Sequence, residues 1–165
     1  MLLINLKKSM KRLILLFVAA TMMACGGSKT VRVSKKVIKG NWNLSTITYS
    51  KAGTYDVTLL NDAAKSCFEG STWQFIPNNN TGVYTIEKYA CEAGDRHFIF
   101  TIDEVDPATG LYDFLLKPTD EKGKSETNKG FRLSLTSLSD TQMQWQQTVI
   151  VDNQPFTISM NFNKL

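Results

Sequence analysis

The residues of this chain that could do covalent, acid–base or metal chemistry are few: three cysteines, one histidine and some close-set acids. Asp95 and His97 are two apart, so on a strand they would share a face while Arg96 between them pointed the other way. An acid–histidine pair of that kind serves a nucleophile, and no G-x-S-x-G elbow or comparable motif supplies one. His97 also alternates with Phe98 and Phe100, which puts it on the solvent phase of the pattern. Asp103, Glu104 and Asp106 could hold calcium only loosely, because they lack the glycine and terminal glutamate spacing of an EF-hand. A solvated strand end is the plainer reading. Cys67 and Cys91 lie far apart along the chain and lack the close ligand spacing of zinc sites. In an oxidising compartment an even pair of cysteines is most simply a disulfide. Closing a loop of roughly 25 residues would stabilise the fold by about 3 kcal/mol in the chain-entropy view. These readings predict no catalytic residue, no metal and no cofactor.

Cys25 stands apart from the other two. In the stretch MMACGGSK it follows directly on the apolar run LILLFVAATMMA. Lys7, Lys8, Lys11 and Arg12 precede that run with no acid among them, residues 13–23 form its core, and Ala24 is small, which is the three-part layout of a secretory signal. The core is too short for a spanning helix, which needs about 20 apolar residues. A break before a cysteine resembles the lipobox of bacterial lipoproteins, in which the thiol is lipidated and becomes the new N-terminus. Met22 replaces the leucine most common three residues before that cysteine, and is still apolar. The resemblance implies that Cys25 is the lipidation site. The other reading is an ordinary signal peptide cut nearby, with Cys25 left as a spare thiol.

Loss of residues 1–24 as a signal peptide changes the charge of what remains. The full chain carries 19 basic and 15 acidic residues, and four of the basic ones lie in the signal. Lys29, Arg32, Lys35, Lys36 and Lys39 then crowd into residues 25–39, while the remainder is net acidic. Such a segment suits an extended basic tether close to anionic head groups, or equally a solvated linker. The folded part lacks the basic patch that phosphate contacts need, so no nucleic-acid partner is expected.

From Gly40 onward, residues 40–165 are long enough to bury a core as one domain. Their dominant period is two. Phe98, Phe100 and Ile102 alternate with His97, Ile99, Thr101 and Asp103; Phe131, Leu133 and Leu135 with Arg132, Ser134 and Thr136. Each run predicts a strand with one buried face. Met143, Trp145, Val149 and Val151 alternate with Gln142, Gln144, Gln146 and Thr148, Phe156, Ile158, Met160 and Phe162 with Thr157, Ser159, Asn161 and Asn163, and Asp152-Asn153-Gln154 between the two runs supplies turn chemistry. Further turns fall at residues 77–82 and 106–110, and residues 118–130 form a charged excursion. Only NDAAKSCFE, residues 61–69, predicts a helix, capped at Asn61 or Asp62 and ended by Gly70. The count is eight or nine strands with one short helix and no room for crossover helices. An antiparallel meander of that kind closes into a barrel or folds into a sandwich, and closure removes the exposed edges.

Gly40-Asn41-Trp42, at the start of the first strand, resembles the G-x-W signature of lipocalins, whose tryptophan plugs one end of an eight-stranded up-and-down barrel. CFEGSTWQF, NNTGVY, Cys91, YDFLLKPTD and NKGFRLSLTSLSD resemble the small lipocalin-like lipoproteins of Bacteroidetes, and the likeness covers nearly all of residues 40–165. It implies an all-β, antiparallel up-and-down β-barrel of about eight strands on a lipid tether, with Gly40 and Trp42 closing one end. It implies no particular ligand. Lipocalins also set a basic residue from the last strand over that tryptophan, a part for which Lys164 is the candidate and Arg132 the second.

The aromatic residues of the apolar faces either fill such a barrel or line a cavity for one small ligand. The corresponding candidate ligand-binding set is Trp73, Phe75, Phe98, Phe100 and Trp145, with a ligand entering from the mouth opposite Trp42. The expected function is that of a membrane-anchored, non-enzymatic barrel holding a small apolar or amphipathic molecule. The alternative is a filled structural barrel whose loops, especially residues 118–130, meet an envelope protein. GGSKT after Cys25 lacks the acidic run that resembles a surface-export signal in Bacteroidetes, so the expected location is the outer membrane, facing the periplasm.

Overall fold

A computed structural model describes residues 29–106 and 111–165 of the chain. The expected signal peptide, Cys25 and most of the 106–110 turn lie outside the described residues.

Alternation becomes closure because each strand can hide its apolar face only by curling the sheet onto itself. Eight strands do so: β1 (Gly40–Tyr49), β4 (Thr72–Ile76), β5 (Thr81–Ile86), β6 (Gly94–Asp106), β7 (Leu111–Thr119), β8 (Phe131–Leu138), β9 (Gln142–Val151) and β10 (Gln154–Lys164). Neighbours in sequence are neighbours in the sheet, and β1 closes the ring by pairing antiparallel with both β10 and β4. Register shifts at Leu44/Thr46, Glu104/Asp106 and Leu135/Ser137 are bulges of the kind that bend strands around a barrel. The β9–β10 hairpin turns through Asp152 and Asn153, both with positive φ, as a tight two-residue turn requires.

Val149 and Val151, expected on the buried face of their strand with Met143 and Trp145, are exposed, because that end of β9 pairs with β10 alone, past its ladder with β8. Two further local expectations are corrected. The helix predicted over residues 61–69 is only the single turn α2 (Lys65–Phe68). Ahead of it, β2 (Thr58–Leu59) pairs with β3 (Ala63–Ala64), and Leu60 and Asn61 take positive φ in the turn between them. Asn61 therefore shapes a hairpin instead of capping a helix. The second correction concerns the extended tether: Lys29–Ile38 form a helix, α1. Val31, Ser34 and Ile38 recur at helical spacing and pack toward the barrel, with Ser34 and Ile38 buried. Burial of that stripe against the barrel end supplies the stability that an isolated ten-residue helix lacks.

All the barrel strands contribute to one continuous core. One end of the barrel gathers the start of β1, the β4–β5 and β8–β9 turns and the end of β10, and α1 lies there. The other end gathers the β5–β6, β7–β8 and β9–β10 connections and the long excursion between β1 and β4.

Candidate functional site

The end beneath α1 is closed by Trp42. Gly40 has a φ of +113°, which lets the chain turn from the helix into β1 and sets Trp42, two residues on, pointing inward. The buried indole Nε1 donates to the Ile38 carbonyl at 2.8 Å. Lys164 Nζ stands 5.1 Å from the centre of the Trp42 ring and donates to the Val37 carbonyl at 2.7 Å. The lysine thus binds the ring through its π face and the helix through its C-terminal carbonyl, where a cation is favoured. Arg132, the second candidate for that part, instead pairs with Asp113 on the outer wall.

Within the barrel, Trp73, Phe75, Phe98, Phe100 and Trp145 all point inward and are buried. They touch one another. Trp73 meets Trp145 edge to face at 5.4 Å between centroids, Phe75 meets Phe98 and Phe100 each at 5.6 Å, and Phe114 stacks between Phe100 at 5.2 Å and Trp145 at 4.5 Å. These separations are those of packed aromatic pairs. Gly82 lies opposite Phe98 across the β5–β6 ladder, and a Cβ there would come within 2.7 Å of the Gln74 carbonyl oxygen. The rings occupy the space in which a ligand was expected.

The mouth opposite Trp42 is covered. Leu59, Leu60 and Phe68 of the β1–β4 excursion are buried in the core, and the Phe68 ring lies 5.4 Å from that of Tyr84. Ser71 Oγ donates to the Phe68 carbonyl at 2.6 Å and accepts from Trp73 Nε1 at 2.9 Å, so the cover and the interior share a hydrogen-bonded joint. The Cys67–Cys91 disulfide, with a Cα–Cα distance of 5.8 Å, ties α2 to the β5–β6 connection. Tyr84 donates to Asp62 at 2.8 Å, and Asp62 also meets Arg96 at 3.3 Å. Burial pushes the Tyr84 phenol well above its ordinary value; the hydrogen bond and charge of Asp62 add to the rise and Arg96 opposes it.

On the outside of the barrel, a cleft of about 570 Å³ runs from the β4–β5 turn across β6 and β7 to the start of β8. Ile99, Leu115 and Phe131 give it apolar surface, and Asn80, Lys117 and Arg132 give it polar and cationic groups. Lys117 Nζ donates to Asn128 at 2.7 Å, which draws the excursion after β7 back over that strand. A second, polar cleft of about 600 Å³ at the covered mouth holds Asp62, Glu92, Asp95, His97 and Glu126. His97 and Asp95 do share the outward face of β6, but Asp95 accepts from Thr85 Oγ1 at 2.7 Å. Among the described residues no cluster of three or more His, Cys, Asp or Glu side chains could hold a metal ion.

The outer cleft was missed in the sequence, although a signal for it exists. Ile99 and Leu115 are apolar residues on the solvent phase of adjacent strands, and the register pairs Ile99 with Lys117 and Thr101 with Leu115. The pairing is needed to see that they meet.

A closed eight-stranded antiparallel up-and-down barrel, plugged by the tryptophan of a G-x-W motif under a lysine from the last strand, is a lipocalin-like fold. A solved lipocalin-like protein from Bacteroides uniformis is similar to 78% of this chain and 99% of its own, at 9% sequence identity and a TM-score of 0.47. No protein-family model matches the chain, and no curated protein matches it.

Proposed function

We propose that this chain is a lipid-anchored, non-catalytic binding protein of the cell envelope that uses a filled barrel as scaffold and holds a small amphipathic molecule against its outer wall. The observation that carries the reading is the cleft beside Ile99, Leu115 and Phe131. Its volume of about 570 Å³ falls in the range of roughly 300–1,000 Å³ usual for small-molecule sites, and such sites pair apolar lining with a few orienting polar groups. Lys117 fits the charged end of an amphipathic anion, with Arg132, which is exposed but already paired with Asp113, beside it, and the three apolar side chains fit its tail. The MMACGGSK stretch supports attachment through Cys25 and a periplasm-facing position at the outer membrane. Since one acyl chain gives only marginal binding, stable attachment requires more than one.

The test is calorimetric titration with dodecanoate. Saturable binding is expected, weakened at least tenfold by Leu115→Asp and unchanged by Ile150→Asp at the far hairpin. No saturable heat, or equal weakening by both substitutions, would remove this reading. A second reading, a structural barrel that meets an envelope protein, is favoured by the β9–β10 hairpin tip, where Val149, Ile150 and Val151 are exposed in succession. A photo-crosslinker at Ile150 in the native envelope should then give one discrete protein adduct.

A further inference from the structure

Helix α1 has two unlike sides. Val31, Ser34 and Ile38 face the barrel, whereas Lys29, Arg32, Val33 and Lys36 are exposed and recur at the i, i+3, i+4, i+7 spacing of one helical face. Lys39, just past the helix, is exposed as well. Lys35, on the flank between the two sides, donates to Asn80 Oδ1 at 2.6 Å and fastens the helix to the β4–β5 turn. Among the described residues none of Lys29, Arg32, Lys36 and Lys39 is held in an ion pair, and residues 29–39 contain no acid. Lysines scattered along a flexible tether would spread their charge. Here a docked helix gathers three cations on one rigid face around a single apolar side chain.

We infer that the outer face of α1 seats the Trp42-plugged end of the barrel on an anionic bilayer surface, so that the barrel stands on the membrane with its β9–β10 hairpin pointing away. Cations within a Debye length of anionic head groups are attracted to them, and a fixed cationic face gives that attraction a direction. The hairpin tip, with exposed Val149 to Val151, belongs to the opposite end of the barrel. Exposed Asp103 on β6 and Asp140 on the β8–β9 turn lie toward the seated end, so the attraction comes from the helix face and not from that end as a whole. The orientation holds independently of what the outer cleft binds.

The experiment uses the chain from residue 25 carrying Cys25→Ser, so that no acyl chain contributes, and sedimentation with vesicles of phosphatidylglycerol and phosphatidylethanolamine. The chain should partition onto these vesicles, bind far less to phosphatidylcholine vesicles, and be released by about 0.5 M salt. Each basic residue near a membrane surface strengthens binding roughly fivefold, so Lys29→Gln/Arg32→Gln/Lys36→Gln should weaken partition on the order of a hundredfold. Lys122→Gln/Lys124→Gln/Lys129→Gln, the same charge removed from the excursion after β7, should leave it nearly unchanged. Nitroxide-bearing lipids should quench a fluorophore on Val33→Cys and spare one on Ile150→Cys. Equal loss from the two triple variants, equal binding to phosphatidylcholine, or quenching at residue 150 would overturn the inference.

Discussion

Gly82→Ala adds one methyl group to the barrel, and the structure says that there is no room for it. Gly82 is buried on β5, directly across the ladder from Phe98. A Cβ at this position would lie 2.6 Å from Phe98 Cε2, closer still to Phe98 Cζ, and 2.7 Å from the carbonyl oxygen of Gln74. Ordinary contacts begin near 3.4 Å, so the ring and the β4 backbone would each have to retreat by most of an ångström. Neither can do so freely. Phe98 is hemmed in by Trp73 at 5.7 Å and Phe75 at 5.6 Å, and Gln74 is held in the ladder opposite Val83. Gly82 has no positive φ, so alanine relieves unfolded-state entropy worth about 0.4–1 kcal/mol. Overpacking costs typically about 1–3 kcal/mol, occasionally more, and contact with a fixed backbone oxygen belongs at the upper end. The net expectation is a loss of about 2–3 kcal/mol, read as a fall of roughly 10 °C in Tm for a domain of this size. Urea unfolding followed by tryptophan emission gives the free energy. Phe98→Leu in the same chain should recover about 1 kcal/mol of the loss beyond additivity. A Gly82→Ala protein within about 0.5 kcal/mol of the parent would refute the reasoning, because it would mean that the interior holds unfilled space after all.

Three further outcomes are expected. Replacing Cys67 and Cys91 together by serine frees a loop with a sequence separation of 24 and should lower stability by about 3 kcal/mol in denaturant melts. An unchanged midpoint would show that the excursion is held by its packing alone. Lys164→Met removes both the cation over Trp42 and the 2.7 Å bond to Val37, and should cost about 2 kcal/mol while speeding tryptic cleavage within α1. Cleavage at the parent rate would separate the helix from the lysine. Tyr84 has its pKa raised on folding, so the stability linked to its neutral form is complete below the ordinary tyrosine value of 10.0 and is lost as pH rises above it. Stability of the parent should therefore fall above pH 10, more steeply than that of Tyr84→Phe by up to about 1.4 kcal/mol per pH unit. Parallel curves for the two proteins would rule out that phenol as the source.

The barrel strands were legible because alternation is a local property. Phe98, Phe100 and Ile102 must share a face on any strand, and the turns expected at residues 77–82, of which the structure keeps 77–80 as turn and gives Thr81 and Gly82 to β5, and at Asp152-Asn153 announce themselves by residue type. The Trp42 plug was suggested by the G-x-W motif, and Lys164, with Arg132 as the second candidate, only by the resemblance to lipocalins; the structure sets Lys164 over the ring. The helical conformation of residues 29–38 was not, because its apolar stripe is thin and its stability comes from the barrel end it covers. Residues 61–64 misled for a similar reason: Asn61 serves a cap or a left-handed turn equally well, and the pairing of Leu59 with Ala63 decides for the turn.

By itself, then, the sequence determined the inward phase of most barrel strands and where most of them reverse, though not the exposure of Val149 and Val151 or the hairpin turn at Leu60 and Asn61. Only the tertiary structure decided whether the inward set encloses a space or fills it. That outcome depends on barrel diameter and on how rings from different strands interlock, here Trp73 against Trp145 and Phe98 over Gly82. Tertiary structure alone also brings Ile99, Leu115 and Phe131 into one outer cleft and gathers three of the five scattered cations, Lys29, Arg32 and Lys36, on one face of a helix. Both are set by register and docking, which couple residues across strands and elements that no local pattern relates.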